Sequence, residues 1–379
     1  MPSWDVHFNA RVDTSSPELQ RLVARIHATA RLVTDMPLPP TAEARLNELN
    51  IVRAVRGTTG IEGASLSTDE VEQIRKHPGE RVLTPRRERE EKEARNANAV
   101  MEFVAGDSDQ LITEQLIVTI HRLTTQGIDY ENNSPGMYRS HPAAVDGYRP
   151  PSTNDEIRAL MAQFVEWINT GERRYWDPII RAIVSHFYVV SIHPFGDGNG
   201  RTSRGVEAFV LYRSGLNVRG FYSLANYYYE NRSRYFEMLD HVRFNTGGDL
   251  TPFVLFALQG FETELEWVRN QVVEASKWTA FRDYARELIF GPEGPETDSV
   301  ALRLFKLAVA IPHEGIPLAD LRLRAPAMVP GYRRVGDRTI SRDIAKLEDM
   351  GLIVDDDEMI RPNLAAIDHL TRAAGSVPA

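Results

Sequence analysis

Apolar residues recur at helical spacing along most of the chain, and strand-like alternation is confined to its last part. Leu111, Ile112, Leu116, Ile117, Ile120 and Leu123 form one stripe, which predicts a helix over 111–125. Positions 179–192 are apolar nearly all round, the pattern of a buried helix. Further helices are predicted over 17–33, 41–56 and 86–103, with Pro37, Pro39 and Pro40 breaking the chain between the first two. The last opens on the charge run 87–93, read as a solvated face. The picture is a mainly α protein.

The buried 179–192 helix delivers a different kind of segment: His193-Pro194-Phe195-Gly196-Asp197-Gly198-Asn199-Gly200-Arg201-Thr202-Ser203-Arg204. Glycines flanking Asn199 let the backbone bend and approach an anion. The helix they open presents unpaired N–H groups and a positive dipole end. Arg201 and Arg204 share a helix face, and each guanidinium can fork onto phosphate oxygens. Asp197 is an oxygen ligand suited to Mg²⁺. His193 titrates near neutrality and can accept a proton from a hydroxyl. The set suits phosphoryl or nucleotidyl transfer. It is neither a Walker A loop nor G-x-G-x-x-G.

This run resembles the Fic-family motif H-x-F-x-[DE]-G-N-G-R-x-x-R at every position. The resemblance implies transfer of AMP from ATP to a Ser, Thr or Tyr hydroxyl of a protein. It implies His193 as general base, Asp197 as the Mg²⁺ ligand and Phe195 as an inward anchor. Gly198, Asn199 and Gly200 would shape the phosphate hole, with Arg201 on the β-phosphate and Arg204 on the γ-phosphate. Upstream, Thr58-Thr59-Gly60-Ile61-Glu62-Gly63 resembles the family's inhibitory signature [ST]-x-x-x-E-[GN]. On that likeness Thr58, Glu62 and Gly63 are inhibitory, with Glu62 pairing Arg204 in place of the γ-phosphate. Gly57 and Gly60 are poor helix formers, so the inhibitory helix is expected to be short or labile. Segment 136–151 lacks helical periodicity, and its family counterpart is a β-hairpin flap that docks the target as an added strand. Tyr228 and Asn231 belong to a Y-x-x-N-R-like segment expected near the adenine. His186 reads as a satisfied core histidine.

Breaker residues at 290–296 precede helices predicted over 299–310, 318–323 and 337–350 and a hairpin around the acidic turn 355–357, the order of a winged helix. Arg333, Arg334, Arg338, Arg342 and Lys346 give its third helix a DNA-binding reading, against which the acidic turn speaks. Docking of protein or of a second copy is the alternative.

Composition adds limits. At 379 residues the chain holds two or three domains. The expected division is 1–105 with the inhibitory helix, 106–265 catalytic, 266–298 helical linker and 299–379 winged helix. The net charge of −9 speaks against polyanion binding by the whole surface. The lack of cysteine, of a secretory signal and of a long apolar run fits a cytoplasmic, non-membrane location. The expected function is therefore an Mg²⁺-dependent protein adenylyltransferase using ATP and held back by Glu62, with a protein target along 136–151 and a homodimer among its expected assemblies. The alternatives are a DNA-binding regulator whose Fic-like domain senses nucleotide, and a Fic enzyme that also removes AMP. The sequence leaves the target unnamed.

Overall fold

The computed structural model describes residues 6–77, 84–106, 111–143, 145, 148–216, 224–291, 299–356 and 358–367. The chain divides into two compact units, one of 1–36 with 40–270 and one of 37–39 with 271–379.

The first unit is helical. α1 (Pro17–Asp35) buries Leu19, Leu22, Ile26, Ala30 and Val33 along one stripe. α2 (Pro40–Ile61) follows the proline breaker. It does not stop near Arg56 but runs on through Gly57 and Gly60. The reason is tertiary. A Cβ on Gly57 would stand 2.7 Å from the Ala225 backbone, and one on Gly60 would collide with the Tyr229 ring. The glycines cost about 1 kcal/mol each in helix propensity, and close packing on a neighbouring helix offsets it. α3 (Thr68–Lys76), opened by a Ser67/Glu70 capping box, has no counterpart in the predicted elements. With α4 (Pro85–Ala105) it closes a small core containing Val52, Val55, Val71, Ile74, Ala94 and Ala97.

α5 (Glu114–Thr125) and α6 (Asn154–Asn169) precede α7 (Pro178–Ile192), capped by Asp177 and buried over most of its surface. α8 (Asn199–Arg213) packs along α7. α9 (Leu224–Glu230) carries the surface that meets Gly57 and Gly60, and α10 (Arg232–Phe244) follows it. α11 (Thr251–Phe290) is a single helix. The expected β-hairpin at 136–151 is reduced, among the described residues, to one antiparallel bridge between Val145 and Tyr148. The rest of that segment is shaped by side-chain bonds described below.

In the second unit, α12 (Ser299–Ala310) is followed by β1 (Ile316–Pro317), α13 (Leu318–Met328), α14 (Asp337–Asp349), β2 (Ile353–Asp356) and β3 (Met359–Pro362). The strands form an antiparallel sheet in the order β1-β3-β2, with Ile316 opposite Ile360 and Ile353 opposite Pro362. Leu304, Leu307, Leu321, Tyr332, Ile340, Ile344, Leu347, Ile353 and Ile360 share its core. Most of the breaker stretch 290–296, along with Tyr222, Asp357 and the tail from 368, lies outside the described residues.

Candidate active site

His193 ends α7 in the left-handed conformation, φ 52° and ψ 56°, one of few non-glycine residues so placed. Its neighbours hold it there. The Arg139 Nε donates to the His193 carbonyl at 2.8 Å, and the Arg139 backbone N–H donates to the Pro194 carbonyl at 2.9 Å. The same buried guanidinium donates to the carbonyls of His141 and Pro151. One side chain thus pins the catalytic loop and both ends of 141–151. The sequence shows Arg139 only as one residue of the 136–151 segment.

Past His193, the chain turns inward. Phe195 is fully buried and stacks on His121 of α5, ring centroids 3.7 Å apart. Asn199 accepts from the Phe195 N–H and donates to the Phe195 carbonyl, both at 2.9 Å. Its amide therefore closes the loop rather than pointing at a ligand. His121 Nδ1 accepts from the Gly136 N–H, which leaves Nε2 to donate to the Asp197 carbonyl at 3.0 Å. Burial, joined by the Arg201 charge, pushes His121 down to about 4, so this neutral tautomer persists at ordinary pH. Gly198 takes φ 73° and brings the chain to the first turn of α8.

That turn carries an anion-shaped place, and a carboxylate stands in it. A Cβ on Gly200 would collide with Glu62 Oε1. The same oxygen accepts from Arg204 Nη2 at 2.6 Å. Arg204, buried, also donates from Nε to Thr58 Oγ1 at 2.9 Å and from Nη2 to the Thr58 carbonyl at 3.0 Å. Thr58, Glu62 and Arg204 are therefore one cluster. Gly63 follows with φ 99°, where only glycine is unstrained. Burial alone would raise the Glu62 carboxyl, but the Arg204 and Arg201 charges outweigh it and hold it low.

Arg201 is held differently from Arg204. Its Nη1 donates to the Tyr130 hydroxyl at 2.6 Å and lies 3.4 Å from Glu93; its Nη2 donates to Asp197 Oδ1 at 3.0 Å. Tyr130 in turn donates to Glu93. This corrects the reading of 87–93: Glu90, Glu91 and Glu93 are buried and bonded to arginines. The apolar stripe of α4 is too weak to reveal it. His121, Tyr130 and Glu93 carry no local signal.

His193 stands neutral. Burial, reinforced by the Arg139 charge, pushes its imidazole down to about 4, against the pull of the Val190 carbonyl and Glu62. A neutral ring can take a proton. Asp197, partly exposed, is the one carboxylate of the loop. Among the described residues no three metal-ligating side chains gather. A single carboxylate fits Mg²⁺ when phosphates and water complete the shell.

The adenine expectation divides. Tyr228 is fully buried, stacks on Tyr235 and donates to Glu207 at 2.9 Å, so no ring face is open to a base. Its apolar ring belongs to the core beneath α8. Asn231 caps α10 and lines a cleft of about 480 Å³ with Arg53, Arg56, Tyr227 and Glu230. His186 bonds the Tyr235 hydroxyl at 2.8 Å and lies 3.2 Å from Glu207, a fully buried core histidine.

Residues 111–211 match the Fic/DOC family. The chain carries a Fic domain. It is 28% identical over 219 residues to Protein adenylyltransferase Fic of Culex quinquefasciatus, covering 55% of this chain and 41% of that one. To the protein of the same name from Drosophila mojavensis it is 32% identical over 155 residues, 41% of this chain and 28% of the other. The chain thus spans less than half the length of these curated relatives. A Fic family protein of Desulfovibrio desulfuricans shares the fold over 96% of this chain and 98% of its own, with a TM-score of 0.56 at 22% identity. Fic-1 of C. elegans covers 66% and 71%, with a TM-score of 0.55 at 24% identity. The Fic domain thus comprises α5 to α8 and the loop between the last two. No described helix is long and apolar enough to cross a membrane.

Proposed function

We propose that this chain transfers AMP from ATP to a Ser, Thr or Tyr hydroxyl of a protein, and that the conformation described is its restrained state. One observation carries the reading: the Glu62 carboxylate seated over Gly200 and bonded to Arg204. A carboxylate there pairs the buried Arg204 guanidinium beside the positive end of α8. A terminal phosphate competes for the same guanidinium. While Glu62 holds it, a bound triphosphate is aimed wrongly for in-line attack on its α-phosphorus.

In the released state His193 takes the proton of the target hydroxyl. The hydroxyl oxygen bonds to the α-phosphorus as the bond to the β-phosphate oxygen breaks, and pyrophosphate leaves. Arg204 receives the γ-phosphate and Arg201 the β-phosphate. Mg²⁺, held by Asp197 and the phosphates, would neutralise charge developing on the leaving oxygens. Asn199 keeps the loop closed through Phe195. The target segment lies along 136–151, whose ends Arg139 ties to the catalytic loop.

Incubation with labelled ATP and Mg²⁺ tests this. Labelling of the chain or of an added target should rise for Glu62→Gly and vanish for His193→Ala. Unchanged labelling and unchanged nucleotide affinity in Glu62→Gly would remove the inhibitory role.

A further inference from the structure

The second unit carries a charged feature that AMP transfer does not use. Arg334, Arg338, Arg342 and Lys346 recur every fourth residue, and all four are exposed. Three of them lie on α14, so they form one stripe along its outer face. On a helix, cations four apart repel one another. Here the neighbour four residues on from each of the three arginines is another cation. Elsewhere the chain does the opposite: on α4, Arg86, Arg89, Lys92 and Arg95 each have an acidic partner four residues away. Among the described residues Arg334, Arg338 and Lys346 make no ion pair. Arg342 lies 3.7 Å from Asp343, but that carboxylate is buried and already taken by Arg303 and the Tyr332 hydroxyl.

The stripe is also held in place. Ile340, Ile344 and Leu347 sink the inner face of α14 into the core, and the Arg303–Asp343–Tyr332 bonds fix its rotation. Between the cations the outer face carries Ser341 and Ala345, small enough for close approach, and no large apolar residue that could anchor a protein partner. From Arg338 to Lys346 the stripe spans about 12 Å by helical rise. That matches the roughly 12 Å width of the major groove of duplex DNA.

We propose that α14 binds duplex DNA through phosphate contacts from this stripe, without strong sequence preference. The chain's overall negative charge does not prevent this, because salt screens charges more than about 10 Å away. The end of β2, with exposed Asp355 and Asp356, has the wrong sign and keeps the contact on the helix.

The test uses the full chain and a fluorescent random-sequence duplex, followed by anisotropy. Binding is expected at about 50 mM salt, with a slope of log K against log salt near −2.7, for about three phosphates neutralised. Affinity should therefore fall roughly 40-fold by about 200 mM salt. The double variant Arg338→Glu/Arg342→Glu should lose at least about tenfold in affinity and flatten the slope to about −1. Its thermal midpoint and its AMP labelling should stay unchanged. Arg21→Glu/Arg31→Glu, an equal charge change on α1, should bind as the native chain does. No binding at low salt overturns the proposal. So does equal loss in the α1 variant, full binding in the α14 variant, or equal affinity for polyglutamate-type acidic protein. None of these outcomes bears on the AMP-transfer reading.

Discussion

The arginines of the Fic loop and those of α14 are opposite solutions for the same side chain. Arg201 and Arg204 are buried, and each already faces a carboxylate: Glu93 and Asp197 for the first, Glu62 for the second. The α14 cations are exposed and, Arg342 apart, unpaired among the described residues. A buried guanidinium left alone costs several kcal/mol, so a site built to grip phosphate needs a stand-in while it waits. An exposed cation in water carries no such penalty and needs no stand-in. On the proposed function the first site is switchable, and on the further inference the second is always open.

The comparison breaks most clearly at His193. Removing the base in His193→Ala should lower AMP labelling by roughly 10²–10⁴-fold, the usual contribution of a general base, while nucleotide binding measured by calorimetry persists. The stand-in itself comes next. Glu62→Gly should raise labelling by at least about tenfold, equivalent to roughly 1.4 kcal/mol of released restraint. A smaller rise in Glu62→Gln would show how much rests on charge rather than on the presence of the side chain.

Arg139 sharpens the contrast, because its charge is buried without a carboxylate and is spent on three carbonyls. Arg139→Met should lower kcat for labelling while leaving the KM for ATP nearly unchanged. It should also raise the acidic limb of the pH profile, since the Arg139 charge helps hold His193 neutral. The limb itself is a separate measurement. With His193 near 4, labelling by Glu62→Gly should persist well below pH 6.5. The sign for stability follows: between pH 6.5 and 4 the unfolded chain takes up a proton that the folded chain refuses. Denaturant midpoints should therefore fall as pH drops through that window. The smallest effect belongs to the helix that brings the stand-in. Gly60→Ala forces the α2–α9 packing apart at Tyr229. It should cost about 1–3 kcal/mol in urea unfolding and raise basal labelling modestly.

Much of this was legible in the residues. The stripe of α5, the buried run of α7 and the loop 193–204 each announce themselves locally. The likeness of 58–63 to an inhibitory signature implies a Glu62–Arg204 pair, and the two side chains are bonded at 2.6 Å. Other features had no local trace. α2 reads as ending near Arg56 because glycine disfavours helix, and only the face of α9 explains why it continues. Glu93 reads as solvent-facing because its neighbours are charged; Tyr130 and Arg201 show otherwise. Tyr228 reads as a platform for a base, yet its hydroxyl finds Glu207 and its ring finds Tyr235 in the core.

The amino-acid sequence by itself determined the chemistry available to this protein: which groups can take a proton, hold a metal or grip a phosphate, and that they sit where a buried helix gives way to glycines. These follow from spacing, which acts over a few residues. The tertiary structure decided which of those groups are occupied. The seat of Glu62 on Gly200, the grip of Arg139 on the His193 carbonyl and the outward stripe of α14 depend on elements far apart in sequence. Their cause is the need to satisfy every buried charge and carbonyl, which no short stretch of sequence can record.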